Sequence, residues 1–254
     1  MSIYACSDIH GQYDLFSRLL DKIGFSDEDT LYILGDMADR GPRSIEMIDC
    51  AMSRENIVCL LGNHELMIHD HYRPGLKAND CWLLSCNGGG VTKKAFSKLP
   101  KARREAVLDW IDSLYLQVKV EVGETTFLLS HSAYLKDCGD VRWRDVDYDT
   151  AFEAVWSSPW RVWEYFPIER YGEDGAVHVI GHVPVQRMKA WYEGAAAGSP
   201  HPLIDEENRV INIDLGCASI ESAEPYPCAG ICCLDLTKWA EGERAGAFIY
   251  VTVE

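Results

Sequence analysis

Leu31-Tyr32-Ile33-Leu34-Gly35-Asp36-Met37-Ala38-Asp39-Arg40-Gly41-Pro42 is a run of four apolar residues that breaks into a polar, glycine-bounded turn. The run has the length of a buried strand, and Gly35 marks its end. Two neighbours repeat the pattern. Ile3 to Cys6 runs into Ser7-Asp8-Ile9-His10-Gly11, and Ile57 to Leu61 runs into Gly62-Asn63-His64-Glu65. Between them, Leu15, Phe16, Leu19, Leu20 and Ile23 fall at helical spacing within 12–23, and Gly24 is a natural stop. Ser44 to Met52 reads as a second helix after Gly41-Pro42. Strand, helix, strand, helix, strand predicts a sheet with helical crossovers, and such sheets bind ligands beyond the strands' carboxyl ends. The polar residues sit there.

The later chain is richer in strands. Residues 66–90 read as a helix, a loop and a turn at Asn87-Gly88-Gly89-Gly90, and 100–116 as a helix. Val118 to Val122 and Thr126 to Ser130 flank Gly123-Glu124, a hairpin that delivers His131. Ala176 to Ile180 leads into Gly181-His182, with further strands at Val210–Asp214, Gly230–Leu236 and Ala247–Val253. The expected fold is α/β (α+β): two packed mixed sheets, a β-sandwich, flanked by helices. One domain over 1–254 is expected, with a cap or cleft-shaping insertion around 135–176, where Trp143, Trp156, Trp160 and Trp163 cluster.

Charge narrows the partners. Forty acidic against 24 basic side chains give a net charge of -16, which opposes binding to nucleic acid or to an anionic membrane. Ten cysteines contain no Cys-x-x-Cys pair, and no apolar run approaches membrane-span length. A cytoplasmic protein with reduced thiols is expected, with adjacent Cys232 and Cys233 in the core.

Carboxylate oxygen and imidazole nitrogen together suit a divalent cation such as Mn²⁺. Asp8 and His10 lie two apart, so an extended segment aims both to one side. Asp36 has two oxygens and could bridge two ions, and Asn63 offers a neutral carbonyl. Such a pair of ions activates water and clamps phosphoryl oxygens.

At these strings the chain resembles the phosphoprotein phosphatase family of calcineurin-like metallophosphoesterases, in particular its small bacterial and phage members. The family pattern is Asp-x-His-Gly, Gly-Asp-x-x-Asp-Arg-Gly and Gly-Asn-His-Glu, then two later histidines. The resemblance implies that Asp8 and His10 hold one metal, that Asp36 bridges to a second, that Asn63 holds the second, and that His131 and His182 are the two later metal-ligating histidines. The metals would be Mn²⁺, with Fe or Zn²⁺ as alternatives. It further implies His64 as general acid paired with Asp39, and Arg40 as a phosphate clamp. A second arginine is expected between the late histidines, from Arg142, Arg144, Arg161 and Arg170, with Arg161 favoured. Ser7 before Asp8 and His131-Ser132-Ala133 depart from the common pattern, which favours a bacterial-type branch. His69, His71, His178 and His201 are read as solvated, core or loop histidines.

The activity this implies is a serine/threonine protein phosphatase, with dual specificity that extends to phosphotyrosine as a variant, acting on a phosphoprotein or phosphopeptide by direct attack of water on phosphorus. The alternative is a dinucleoside polyphosphate hydrolase on the same metal site, which resembles the chain also at Asp214-x-Gly216-Cys217. Acidic Asp39 and Glu65 favour the protein phosphatase. A non-catalytic metal-binding scaffold would need a broken ligand set, and here every position is filled.

Overall fold

The structure, a computed structural model, describes residues 1–75, 81–135, 138–157, 174–192, 201–207 and 209–253. The first half carries β1 (Ile3–Cys6), α1 (Tyr13–Ile23), β2 (Thr30–Ile33), α2 (Ser44–Met52), β3 (Ile57–Cys59), α3 (Asn63–Tyr72), α4 (Gly90–Phe96) and α5 (Lys101–Asp112). There follow β4 (Tyr115–Val122), β5 (Thr125–Ser130), β6 (Val141–Arg142), α6 (Tyr148–Trp156), β7 (Val177–Ile180) and α7 (Val185–Tyr192). Last come β8 (Leu203–Asp205), β9 (Val210–Asn212), β10 (Gly230–Asp235), α8 (Leu236–Ala240) and β11 (Phe248–Thr252).

Two mixed sheets form, in the orders β11-β10-β1-β2-β3 and β6-β4-β5-β7-β9-β8. Three neighbouring strands of each sheet run parallel: β1, β2 and β3 in one, β5, β7 and β9 in the other. Strand alternation sorts side chains between two apolar layers. Ala5, Cys232 and Leu234 join Val118, Phe127, Leu129, Val179 and Ile211 between the sheets. Their neighbours Cys6 and Cys233 face the other way, into a layer with Phe16 and Leu19 of α1 and Met47 and Ile48 of α2. Fully burying an aliphatic or aromatic side chain contributes about 1.5–3 kcal/mol, so these layers dominate the stability.

The expected sandwich is observed, with local differences. The third strand closes at Cys59, because Leu60 leaves it to bridge Tyr115. The helix expected to run to residue 116 stops at Asp112, and β4 begins at Tyr115. The glycine run is not only a turn: α4 starts on its last residue, Gly90. Within 135–176, α6 is an ordinary helix whose Ala151, Ala154 and Val155 are buried. Trp160, Trp163 and the rest of 158–173 lie outside the described residues. His69 is not solvated: α3 buries it against Trp143, with ring centroids 5.1 Å apart. No described helix is long and apolar enough to cross a membrane.

Candidate metal centre

The six parallel strands end at one place. Asp8, Asp36 and Asn63 follow β1, β2 and β3, and His131, His182 and Asp214 follow β5, β7 and β9. Of eight non-glycine residues with positive φ among the described residues, six belong to this region: Asp8, His10, Asp36, Asp39, Arg40 and His182, at 48° to 71°. Left-handed backbone is costly away from glycine, and it clusters where side-chain placement matters.

Glu65 holds the turn after β2. Its Oε2 accepts from the N–H groups of Asp36 (2.8 Å) and Gly62 (3.1 Å), and its Oε1 from those of Met37 (2.9 Å) and Ala38 (3.3 Å). This is a helix capping interaction widened to a second loop. Gly62 is required there, because a Cβ would stand 2.2 Å from Asp36 Oδ1.

Asp36 sits between two imidazoles. Its Oδ2 is 3.6 Å from His10 Nε2, and its Oδ1 is 3.6 Å from His131 Nε2. Two candidate metal groups share it: His10, Asp36 and His64, and Asp36, His131 and His182. The ring orientations fit ligation. His10 Nδ1 donates to the Ala38 carbonyl (3.1 Å) and His131 Nδ1 to the Leu34 carbonyl (2.7 Å). Each Nε2 is therefore left with a lone pair. That of His131 points at Asn63 Oδ1, 3.1 Å away, and His182 Nδ1 lies equally close to the same oxygen. Lone pairs facing a carbonyl oxygen repel unless a cation lies between them, and Asp8 Oδ1 is buried with no partner. The donors fit divalent metal ions.

Burial governs the charges. It pushes the Asp36 carboxyl well above its ordinary range, helped by Asp8 and Glu65, and raises Asp8 and Asp214 too. Burial likewise lowers His10, His64 and His131. Buried anions crowded this closely need protons or metal cations.

His64 Nδ1 is 2.7 Å from Asp39 Oδ2, and its Nε2 is 3.3 Å from Arg40 Nη2. Asp39 is fully buried, takes the Trp82 indole N–H at 2.7 Å, and is pushed up to about 7 by burial. Its own N–H donates to Ser44 Oγ and Thr92 Oγ1. A cleft of about 660 Å³ opens over His10, Asp36, Asn63, His64 and His182, with Arg40 on its wall.

The expected residues Asp8, His10, Asp36, Asp39, Arg40, Asn63, His64, His131 and His182 thus come together. The second-arginine expectation fares differently. Arg142 stacks on Tyr115 and Arg144 on Trp143, and neither lines the cleft. Arg161 and Arg170 lie outside the described residues. Sequence reasoning gave no site role to Asp214, although it closes a strand as the others do, nor to Trp82, Thr92 and Arg187.

A model of the calcineurin-like phosphoesterases matches residues 1–211. The chain belongs to that family. A symmetrical bis(5'-nucleosyl)-tetraphosphatase of Paracidovorax citrulli is 30% identical over 141 residues, covering 53% of this chain and 45% of the relative. Other curated relatives carry the same name. The chain spans less than half the length of the curated relatives it matches, 24% and 45% for two of them. Two solved structures share the fold. A Saccharomyces cerevisiae protein serine/threonine phosphatase aligns with TM-score 0.59 at 16% identity, over 100% of this chain and 80% of that one. A candidate diadenosine tetraphosphatase aligns with TM-score 0.56 at 15% identity, over 100% and 94%.

The names of the relatives overturn the protein phosphatase expectation and, with it, the phosphoprotein substrate. The physical reason lies in Asp39 and Glu65, which had favoured it. Both are fully buried, one holding His64 and the other holding loop amides, and neither lines the cleft. They build the metal platform and cannot read what the phosphate is attached to.

Proposed function

We propose that this phosphoesterase is a divalent-metal-dependent hydrolase of dinucleoside polyphosphates. The observation that carries the metal chemistry is Asp36, whose two oxygens face His10 and His131 separately. Asp8, His10 and Asp36 would hold one cation, and Asp36, Asn63, His131 and His182 a second, with Mn²⁺ the best match to mixed oxygen and nitrogen donors and Fe or Zn²⁺ also accepted. When bound, such a pair neutralises phosphoryl charge and supplies water of lowered pKa. The relatives' names support a dinucleotide substrate.

The chain's own residues supply the rest. Arg40 reaches the cleft beside His64 and orients a phosphate through its planar fork. In its acid form the Asp39–His64 pair carries two ring protons: one on Nδ1, held by Asp39 Oδ2 at 2.7 Å, and a second on Nε2. Asp39 occupies Nδ1, so the proton leaves from Nε2, which faces the cleft. One phosphorus–oxygen bond forms to water, the anhydride bond breaks, and the departing nucleoside phosphate takes that proton. Phosphate is far less basic than a serine alkoxide, its second pKa being about 6, so the proton matters less here than for a phosphoserine.

The test is hydrolysis of diadenosine tetraphosphate by metal-loaded protein, with products separated by chromatography. ADP as the main nucleotide product is expected. Faster turnover of phosphoserine peptides than of the dinucleotide would sink the proposal.

A further inference from the structure

The cleft continues past the metal-ligand candidates. Its lining also includes Arg187 on α7 and Ser222, Glu224 and Tyr226, which follow the short 3-10 turn Cys217–Ser219. These two pieces are locked together. Gln186 Nε2 donates to the carbonyls of Leu215 (3.1 Å) and Pro227 (3.4 Å), and the Tyr226 N–H donates to Ser219 Oγ (3.0 Å). A Cβ on Gly216 would stand 3.0 Å from both Gln186 Oε1 and Tyr226 Cδ2. The tyrosine ring and the first turn of α7 therefore close on the same glycine. Arg187 follows Gln186 directly, and Arg187 and Tyr226 line the same cleft.

We infer that Arg187 and Tyr226 form a second subsite, which takes the part of the substrate beyond the scissile bond. Arg187 grips a non-reacting phosphate, and the Tyr226 ring stacks on a nucleobase. The inference rests on the dinucleotide reading. Apart from histidines, Arg40 and Arg187 are the basic side chains lining the cleft among the described residues, and Arg40 stands beside His64 at the reacting phosphate. A tetraphosphate bears about one negative charge on each phosphate, so one arginine at the reacting phosphorus leaves the rest of the chain uncompensated. A tyrosine half-buried on a built wall offers a flat face of the kind on which bases stack, whatever the base. Ser222 and Glu224, exposed on the same segment, carry a hydroxyl and an acceptor suited to ribose hydroxyls.

The experiment compares diadenosine tetraphosphate with p-nitrophenyl phosphate, which lacks both the second phosphate and the base. Wild type, R187A, R187K, Y226A and Y226F are measured, each with a thermal melt. R187A is expected to lower the ratio of kcat/KM for the dinucleotide over the small ester by about ten- to hundredfold, and R187K to recover part. Y226A is expected to raise the dinucleotide KM about tenfold, and Y226F to restore it. Unchanged ratios in R187A and Y226A overturn the subsite. So does an equal loss on both substrates with a lowered Tm, which marks a structural role. A wild type that hydrolyses the small ester but not the dinucleotide overturns the underlying reading and the subsite with it.

Discussion

The two sheets deliver their strand ends to one centre by different means. Loops of the first sheet are stitched to one another by backbone. His10 N–H donates to the Asp36 carbonyl (2.9 Å), Gly11 N–H to Met37 (2.8 Å) and Gly41 N–H to His10 (2.9 Å), and the Glu65 carboxylate closes the remaining amides. The second sheet also leans on the first: the His131 side chain donates from Nδ1 to the Leu34 carbonyl, and the backbone N–H of His182 donates to Asp8 Oδ2 at 2.9 Å. One half is a self-supporting platform. The other has fewer such links, Gly181 N–H to the His131 carbonyl and Val185 N–H to the Asp214 carbonyl (each 2.9 Å), and adds its contacts with that platform.

The strongest way to break this arrangement is to remove the residue both halves share. D36N takes away the charge between His10 and His131, so kcat/KM should fall by more than about a thousandfold, a loss of several kcal/mol in stabilisation. Metal content, measured by elemental analysis, should drop with it, and near-wild-type activity at full metal content would refute the bridging role.

His64 sharpens the comparison, since it belongs to the platform yet its Nε2 stands 3.9 Å from Asp36 Oδ2, within the first metal group. H64N should lower kcat by about a hundredfold, the usual scale of general acid catalysis, while metal content stays at the wild-type level. Loss of a metal ion per chain would make it a ligand instead of an acid.

Gly181 lies on the seam between the halves. A Cβ there would stand 2.0 Å from Ser7 Oγ and 2.2 Å from Asp8 Oδ2. G181A should cost about 1–3 kcal/mol in urea unfolding, the scale of overpacking, whereas G246A, with open space at its Cβ, should cost little. Equal effects of the two changes would show that the seam is not tightly packed.

The smallest effect is in pH. Glu65 and Asp39 are each pushed up to about 7 by burial, and Asp36 and Asp214 are raised well above their ordinary range. The folded protein therefore holds these protons more tightly than the unfolded chain, and the stability they confer is lost as pH rises through the folded values. His10, His64 and His131 are lowered and act with the opposite sign, but only below their ordinary value of 6.5. In chelator, Tm should therefore fall from pH 6.5 to 8, and added Mn²⁺ should reverse the trend by binding the freed carboxylates. A chelated protein whose Tm rises across that window would contradict the burial argument.

Legibility followed the same division. The platform could be read because its turns are sequence-local: strand, glycine and carboxylate fall within a few residues, and each string states its own geometry. Even His131 and His182 could be placed, because each closes an apolar run. Asp214 closes one too, and that signal was open to the same rule. Arg187 and Tyr226 had no such marker. They reach the cleft only because Gln186 and Tyr226 both pack on Gly216. His69 was misplaced because its surroundings come from Trp143 and Arg144, more than seventy residues away.

By itself the sequence determined the strand ends and the donor inventory, because hydrophobic runs and turn chemistry act over a few residues; the pairing of His64 with Asp39 was implied by the family resemblance alone. Only the tertiary structure decided that the two sheets aim their parallel ends at one carboxylate. It also decided that Asp39 and Glu65 are spent on internal hydrogen bonds and are unavailable to a substrate. Burial and sheet packing assign those roles, and both depend on contacts between residues far apart in the chain.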